Sequence, residues 1–174
     1  MAQPPPSFRF KLPYTLQQWL AEKGSNPNVN QRVQVALQFL KRKFPWYNDE
    51  RLLSELVCHD YSLPVMVVPL AAGTMLCGYK TPGADPVGGT YFAPAGTPLD
   101  RVGVGWEGNV NGAAVAKVYH RYQVKTAIPE VLQTTCSPAR DMWSDGNRAW
   151  GQLQGGGARQ FVIPDAKKHL VKVN

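Results

Sequence analysis

Cysteine is scarce in this chain of 174 residues, which contains only Cys58, Cys77 and Cys136. An odd number of cysteines without C-x-x-C spacing predicts neither a disulfide framework nor a zinc knuckle. We therefore expect three buried, apolar thiols and a core that needs no covalent links, because a chain of this length can bury enough apolar surface by itself.

Long apolar runs are absent as well. No stretch reaches the roughly 20 apolar residues that a membrane-spanning helix requires. Residues 1–6, Met-Ala-Gln-Pro-Pro-Pro, have neither the charged start nor the apolar middle of a signal peptide. No stable membrane insertion is expected, and if the protein leaves its cell, something other than a signal peptide carries it.

Acidic residues number 12 and histidines three, and neither group shows a catalytic spacing. There is no Glu-x-Glu pair, so a two-carboxylate glycosidase site has no obvious candidates. No Gly-x-Ser-x-Gly elbow marks a serine hydrolase, and the histidines lack the H-E-x-x-H spacing of a metal site. The 16 glycines form no Walker or Rossmann loop. We expect neither a metal nor a bound cofactor.

The formal net charge of +7 is spread thinly, with clusters only at residues 41–43 and 167–168. Such a balance attracts nucleic acid, a membrane surface or a small anion through the same long-range field. No recognition-helix, zinc-finger or RNP-like pattern accompanies the charge, so no nucleic acid is expected, although Trp and Tyr are plentiful enough for a stacking surface. The pattern favours a small anionic substrate.

Hydrophobic periodicity changes along the chain and predicts an α+β fold. Residues 1–13 are predicted to be a Pro-rich arm or linker, residues 14–63 a helical N-terminal subdomain, and residues 64–174 a β-rich domain that forms one compact unit with the helices. Helices are predicted over 16–23, 31–43 and 49–58, and strands over 65–70, 74–79, 90–93, 115–124 and 160–163. The expected architecture is an N-terminal helical cap on a twisted, mainly antiparallel β-sheet core.

One segment draws attention to a possible site: Gly155-Gly156-Gly157 followed by Ala158, Arg159 and Gln160. Tandem glycines let the backbone adopt positive φ and approach a ligand closely, so the amide of Gln160 can be held against a substrate. A plain surface turn before an edge strand is the other interpretation, and these residues alone leave both open.

Four segments follow one another in a recognisable order. Gly73-Thr74-Met75-Leu76 comes first, then Gly89-Thr90-Tyr91-Phe92-Ala93-Pro94-Ala95-Gly96-Thr97-Pro98, then Tyr119-His120-Arg121-Tyr122-Gln123-Val124, and finally the glycine run that leads to Gln160. This order resembles the tuberculosis necrotizing toxin family of NAD(P)+ glycohydrolases, as found in bacterial secreted (type VI-type) effector toxins. The resemblance covers roughly residues 64–164, so it implies that residues 64–174 are the catalytic toxin domain.

The resemblance implies hydrolysis of the nicotinamide–ribose bond of NAD+ or NADP+. The leaving nicotinamide is neutral and needs no general acid, so a site that is poor in carboxylates can work by orientation and electrostatics. The family setting implies a secreted effector without a signal peptide that acts in the cytoplasm of a target cell. It also implies a cognate immunity protein as partner, and secretion components that bind a missing or separate N-terminal region.

The same resemblance assigns catalytic roles to Gln160, His120 and Tyr91. Alternation along residues 115–124 places His120 with the apolar side chains, where a histidine bonded to a backbone carbonyl is an equal possibility. Tyr91 is expected to stack on or bond the nicotinamide, or else to be a core tyrosine. Gly155, Gly156 and Gly157 are expected to let the substrate approach, in a cleft between the strand of His120 and the turn before Gln160.

The chain departs from the family pattern at Gly78, which stands where an arginine is usual. Lys80, two residues on and therefore on the same strand face, is expected to supply the positive charge for a phosphate. Arg101 and Arg121 are the other candidates, and a solvated surface role is open for each of them.

Two rival functions remain. An ADP-ribosyltransferase breaks the same bond, but the glutamate that usually orients its acceptor is missing beside Gln160, where Arg159 and Phe161 stand. A non-catalytic module that binds nucleic acid or an acidic protein is the other. Consumption of NAD+ without an acceptor distinguishes the hydrolase from both.

Overall fold

The structure is a computed structural model that describes residue 12 and residues 14–102, 107–137 and 156–174. Three helices come first: α1 (Leu16–Gly24), α2 (Pro27–Lys43) and α3 (Asp49–Leu56). Their starts follow local capping chemistry. Thr15 and Gln18 form a capping box at α1, and the Asn48 side chain accepts a hydrogen bond from the Arg51 N–H at α3.

Helix α2 begins four residues earlier than the predicted start at residue 31. Its N-cap is Asn26, whose side chain accepts hydrogen bonds from the N–H groups of Asn28 and Val29, and Pro27 occupies the first helical position. Proline suits that position because its missing N–H would have no helical partner there. The Asn-Pro pair is thus a stronger start signal than Asn30.

Seven strands form one sheet in the order β1-β7-β8-β3-β2-β6-β9, and every neighbouring pair is antiparallel. The strands are β1 (Met66–Leu70), β2 (Met75–Lys80), β3 (Tyr91–Pro94), β6 (Val118–Val124), β7 (Ile128–Thr135), β8 (Arg159–Val162) and β9 (Leu170–Val173). A separate hairpin consists of β4 (Glu107–Val110) and β5 (Ala113–Ala116). A 3₁₀ turn (Leu99–Arg101) follows β3, and a short helix α4 (Ala166–His169) precedes β9.

The predicted single strand over 115–124 is wrong, because the structure has β5 and β6 there, with a break at Lys117. Strand β5 pairs with β4 around a two-residue turn in which Asn111 has φ 52° and Gly112 has φ 84°. Asn-Gly is the preferred pair for such hairpin turns, since both residues tolerate the left-handed region. This turn draws residues 113–116 out of the main sheet.

The two faces of the main sheet bury separate cores. On one face, Leu132 and Val162 pack with the apolar sides of the three helices. On the other, Phe92, Tyr122 and Phe161 pack together. The predicted α+β fold, an N-terminal helical cap on a mainly antiparallel sheet, is confirmed, whereas the predicted division into arm, subdomain and domain stays a prediction. Within the described ranges, no helix has the length and apolar character needed to cross a membrane.

Candidate functional site

Gln160 lies on β8 with only 6% of its surface exposed, and its carboxamide is surrounded by polar atoms. Its Nε2 donates to the carbonyl oxygen of Cys58 at 3.2 Å and to Thr134 Oγ1 at 3.1 Å, and lies 2.9 Å from His59 Nδ1. Its Oε1 accepts from Cys136 Sγ at 3.0 Å. Protein atoms therefore occupy the hydrogen-bonding positions of this carboxamide.

This network determines which nitrogen of His59 carries the proton. The Cys136 thiol on one side and the Cys58 carbonyl on the other set the orientation of the Gln160 amide, so an N–H donor faces His59 Nδ1. The Thr134 hydroxyl lies 2.8 Å from the same Nδ1 and is a second donor available to its single lone pair. Nδ1 is consequently an acceptor, and the proton of the neutral ring lies on Nε2.

His59 is buried, with 4% of its surface exposed. Burial lowers the pKa of His59 to about 3, because the charged imidazolium would lose its hydration. The neutral ring keeps its Nε2 in the interior, where this atom has no hydrogen-bond partner among the described residues. Beside it, burial and the nearby Glu55 raise the pKa of the Cys58 thiol to about 12, so this thiol stays protonated and is a poor nucleophile.

Tyr91 lies on β3, beside His59, and its side chain contacts helix α3. Its hydroxyl donates to Oε2 of Glu55, whose Oε1 lies 2.7 Å from Nη2 of Arg51. The Glu55 side chain is only 8% exposed. Burial and this carboxylate raise the pKa of Tyr91 well above its usual range, so the phenol stays neutral. The ring centroid of Tyr91 is 6.0 Å from that of His59.

These side chains form two hydrogen-bonded sets that lie side by side, called here together the polar cluster. Its members come from helix α3, the segment after it and strands β3, β7 and β8: Arg51, Glu55, His59, Tyr91, Thr134 and Gln160. Among the described residues, no group of three or more His, Cys, Asp or Glu side chains is arranged to hold a metal ion.

The glycine turn lies directly before Gln160. Gly156 and Gly157 have φ of 66° and 87°, in the left-handed region that favours glycine, while Gly155 lies outside the described residues. The carbonyl of Arg101 accepts from the N–H of Ala158 at 3.0 Å. The guanidinium Nη1 of Arg101 lies 3.8 Å from the point that a Cβ on Gly157 would occupy. An exposed cation therefore stands beside a turn without side chains.

Lys80 and His120 lie elsewhere. Lys80 Nζ donates to the carbonyl oxygen of Gly88 at 2.7 Å and lies 5.0 Å from the ring centroid of Phe92. Burial, aided by Lys117, lowers the pKa of Lys80 to about 8. The pKa of His120 is also lowered, by partial desolvation and then by the cations of Lys172 and Lys80.

Strand register assigns these residues to opposite faces of the sheet. Gln160 pairs with Thr134, and Tyr91 pairs with Val162, two residues from Gln160, so Gln160 and Tyr91 point toward the helices. Strand β6 is separated from β8 by β3 and β2. His120 pairs with Gly78 and shares the face of Tyr122, in the other core.

The single cleft expected between the strand of His120 and the turn before Gln160 is therefore not what the structure shows. His120 and Arg121 instead line an open groove of ≈ 310 Å³ with Lys172. Arg121 is exposed. The structure brings Gln160, Tyr91, Arg101, Gly156 and Gly157 to one region, and leaves His120, Lys80 and Arg121 outside it.

Sequence reasoning missed Glu55 and His59. Glu55 stands between Leu53 and Leu56 on the buried stripe of α3, and a carboxylate within an apolar stripe is a signal that something pairs with it. His59 had no local signal. Its partners Thr134 and Gln160 are 75 and 101 residues away along the chain.

Comparison with known proteins relates the chain to bacterial toxins. The family model described as Ntox46, bacterial toxin 46, matches residues 21–170. The structure of Tse6 in complex with Tsi6 is similar, with 25% sequence identity and a TM-score of 0.67, covering 86% of this chain and 98% of that one. The structure of Rhs1-CT in complex with cognate immunity protein RhsI1 has 15% identity and a TM-score of 0.40, covering 63% of this chain and 77% of that one.

No curated protein sequence matches the chain. The family model nevertheless extends from helix α1 to the first residue of β9 and so includes every member of the polar cluster, the glycine turn and Arg101. The chain belongs to the bacterial toxin 46 family.

Proposed function

We propose that this toxin hydrolyses the nicotinamide–ribose bond of NAD+, NADP+ or both. The products are nicotinamide and ADP-ribose, or its 2′-phosphate, with water consumed and one proton released. The observation that carries the proposal is the position of Arg101 beside Gly157, at the turn that leads directly into Gln160 and the polar cluster.

The glycine turn and Arg101 suit the pyrophosphate of the dinucleotide. The N–H groups of Gly157 and Ala158 already donate to the carbonyl oxygens of Cys136 and Arg101, so the turn offers room for close approach rather than free donors. A guanidinium adds a fixed charge and can donate two parallel hydrogen bonds to a phosphate. Among the basic candidates, Arg101 is the one that lies at this turn, since Lys80 already donates to Gly88 and Arg121 is on β6. The net charge of +7 favours an anionic substrate in general.

The polar cluster suits the other end of the substrate. The nicotinamide leaves as a neutral base, and the transition state has oxocarbenium character, so it needs orientation and a positioned water rather than a strong acid. Tyr91 offers a neutral phenol beside the Glu55 carboxylate. Gln160 holds Thr134 and His59 in place, which makes it a positioning residue in this proposal. The reaction as proposed uses no metal ion and no cofactor, because NAD+ or NADP+ is the substrate itself.

Family membership supports the biological side of the proposal. Tse6 is bound to Tsi6 in the similar structure. We extend that arrangement to this chain, with a cognate immunity protein as its partner and the cytoplasm of a target cell as the place where it depletes the dinucleotide.

The test is incubation of the purified chain with NAD+ or NADP+ and no acceptor, with nicotinamide and ADP-ribose quantified by chromatography. Equal amounts of the two products support the hydrolase. Consumption that requires an added protein or nucleic acid would indicate a transferase. No consumption by folded protein would overturn the proposal and leave a binding module.

A further inference from the structure

The Nε2–H of His59 is the end of a directed chain of hydrogen bonds. The Cys136 thiol donates to Gln160 Oε1, and the Gln160 amide nitrogen, with the Thr134 hydroxyl beside it, faces the acceptor Nδ1 of His59. At each step an acceptor also acts as a donor, which polarises the next bond along the chain. The last donor is buried and has no partner among the described residues.

An unpartnered buried donor is rare in a folded protein, because it loses its bond to water without a replacement. Leaving such a group without a partner therefore costs free energy. No described group of the helical cap accepts a hydrogen bond from His59 Nε2–H, although three protein groups fix the tautomer that carries its proton on Nε2. A ligand atom that accepts this hydrogen bond would recover the loss.

The surroundings define the acceptor. The Arg51 cation of the cluster is already paired with the Glu55 carboxylate, so within the cluster no cation is left to balance a bound anion. The imidazole itself is uncharged, because burial holds its pKa far below neutral pH. The acceptor that fits is therefore an uncharged oxygen rather than a phosphate. Tyr91 is partly exposed, and its ring centroid lies 6.0 Å from that of His59.

We propose that His59 Nε2–H donates a hydrogen bond to an uncharged oxygen of the bound substrate, either the carboxamide oxygen of nicotinamide or a hydroxyl of the adjoining ribose. His59 is then a substrate-binding residue, and Gln160 and Thr134 act through it by fixing its tautomer. This inference rests on the proposed function and assigns a residue to that same site.

The direct test is NMR of the wild-type protein labelled with ¹⁵N in its histidine rings. We expect His59 to be the neutral Nε2–H tautomer at pH 7 and its Nε2–H signal to shift when a product is added. Nicotinamide and ADP-ribose are added separately, so the probe that causes the shift identifies the source of the oxygen. An Nδ1–H tautomer would overturn the inference. So would an Nε2–H signal of His59 that does not shift in protein that binds either probe.

A matched pair of variants supplies the kinetic test. In His59→Gln an amide N–H can reach the position of Nε2, whereas in His59→Asn the amide reaches only the position of Nδ1. We expect His59→Asn to lose at least about tenfold in kcat/KM, and His59→Gln to stay within about threefold of wild type. His169→Asn, a change at a histidine outside the cluster, is the control. Equal kcat/KM in both His59 variants, with unchanged melting, would contradict the contact.

The two proposals fail in different ways. A wild-type protein that releases nicotinamide while His59 stays silent overturns only the role of His59. A folded wild-type protein that neither releases nicotinamide nor binds either product overturns the proposed function and the His59 contact with it.

Discussion

Tyr91 on the sheet and Glu55 on helix α3 share a partly buried hydrogen bond, in which the phenol donates to the carboxylate. Glu55 also pairs with Arg51 on its own helix. This bond ties the helical cap to the strand that carries a proposed site residue, so it contributes to stability and to the geometry of the site together.

Loss of the Tyr91 hydroxyl is expected to weaken the fold. In Tyr91→Phe the Glu55 carboxylate keeps Arg51 but loses its second hydrogen-bond partner, which should lower the free energy of unfolding by about 1–3 kcal/mol. Urea denaturation measures the change, and Tyr14→Phe at an exposed tyrosine is the control. A loss no larger than that of the control would show that the bond adds nothing to stability.

Arg101→Ala should raise the KM for NAD+ about tenfold or more, with a smaller effect on kcat, because an anchor on a non-reacting phosphate binds ground and transition states alike. The KM of the wild type should also rise with ionic strength, and that dependence should weaken in the variant. Lys125→Ala, which removes an exposed cation between β6 and β7, is the control.

Lys80 is the alternative to Arg101 as the residue that binds the phosphate. Its ammonium already donates to Gly88 and lies on the face of His120. We therefore expect Lys80→Ala to leave KM within about twofold of wild type, a change too small for a lost charged hydrogen bond. A larger rise in KM for Lys80→Ala than for Arg101→Ala would move the phosphate site to the other face of the sheet.

Gln160→Ala should reduce both turnover and stability. The substitution leaves Thr134 and the Cys58 carbonyl without the buried donor, which should cost about 1–3 kcal/mol of unfolding free energy. Turnover should fall further than the folded fraction accounts for, since the His59 tautomer is no longer fixed. Gln123→Ala at an exposed strand position is the control, and turnover that follows the folded fraction alone would argue against a role in the site.

Acid should destabilise the protein through His59. The pKa of His59 in the folded protein, about 3, lies below its ordinary value. The contribution of His59 to the free energy of unfolding is therefore complete above about pH 6.5 and is lost as the pH falls toward 3. In that window, one such group contributes a slope of about 1.4 kcal/mol per pH unit. Unfolding free energies between pH 7 and 4.5 should fall less steeply in His59→Gln than in wild type, and His169→Gln should match wild type. Parallel curves for all three proteins would rule out a buried neutral His59.

Chelation tests the proposed chemistry. Activity should survive prolonged treatment with EDTA, because the proposed reaction needs only orientation, charge and water. Recovery of a lost activity on addition of one divalent ion would contradict the proposal, and heat-inactivated protein provides the background rate.

Helix caps and strand alternation, which depend on neighbouring residues, could be predicted from the sequence. Asn48 before two acidic residues marked α3, and the alternating strand around His120 placed its ring on the face of Tyr122. Strand β7 was missed although it lies inside the sheet, since Pro129 near its start is unusual in an interior strand. The polar cluster was beyond reach because its partners meet only through tertiary packing of segments about 100 residues apart, such as His59 and Gln160.

The residues of the polar cluster come from both the helical segment and the β-rich segment of the chain. Arg51, Glu55 and His59 come before residue 64, and Tyr91, Thr134 and Gln160 come after it. Neither the helical segment nor the β-rich segment holds a complete set. Under the proposed function, catalytic competence therefore requires the helical segment and the β-rich segment to pack against each other, so neither segment by itself would carry the activity.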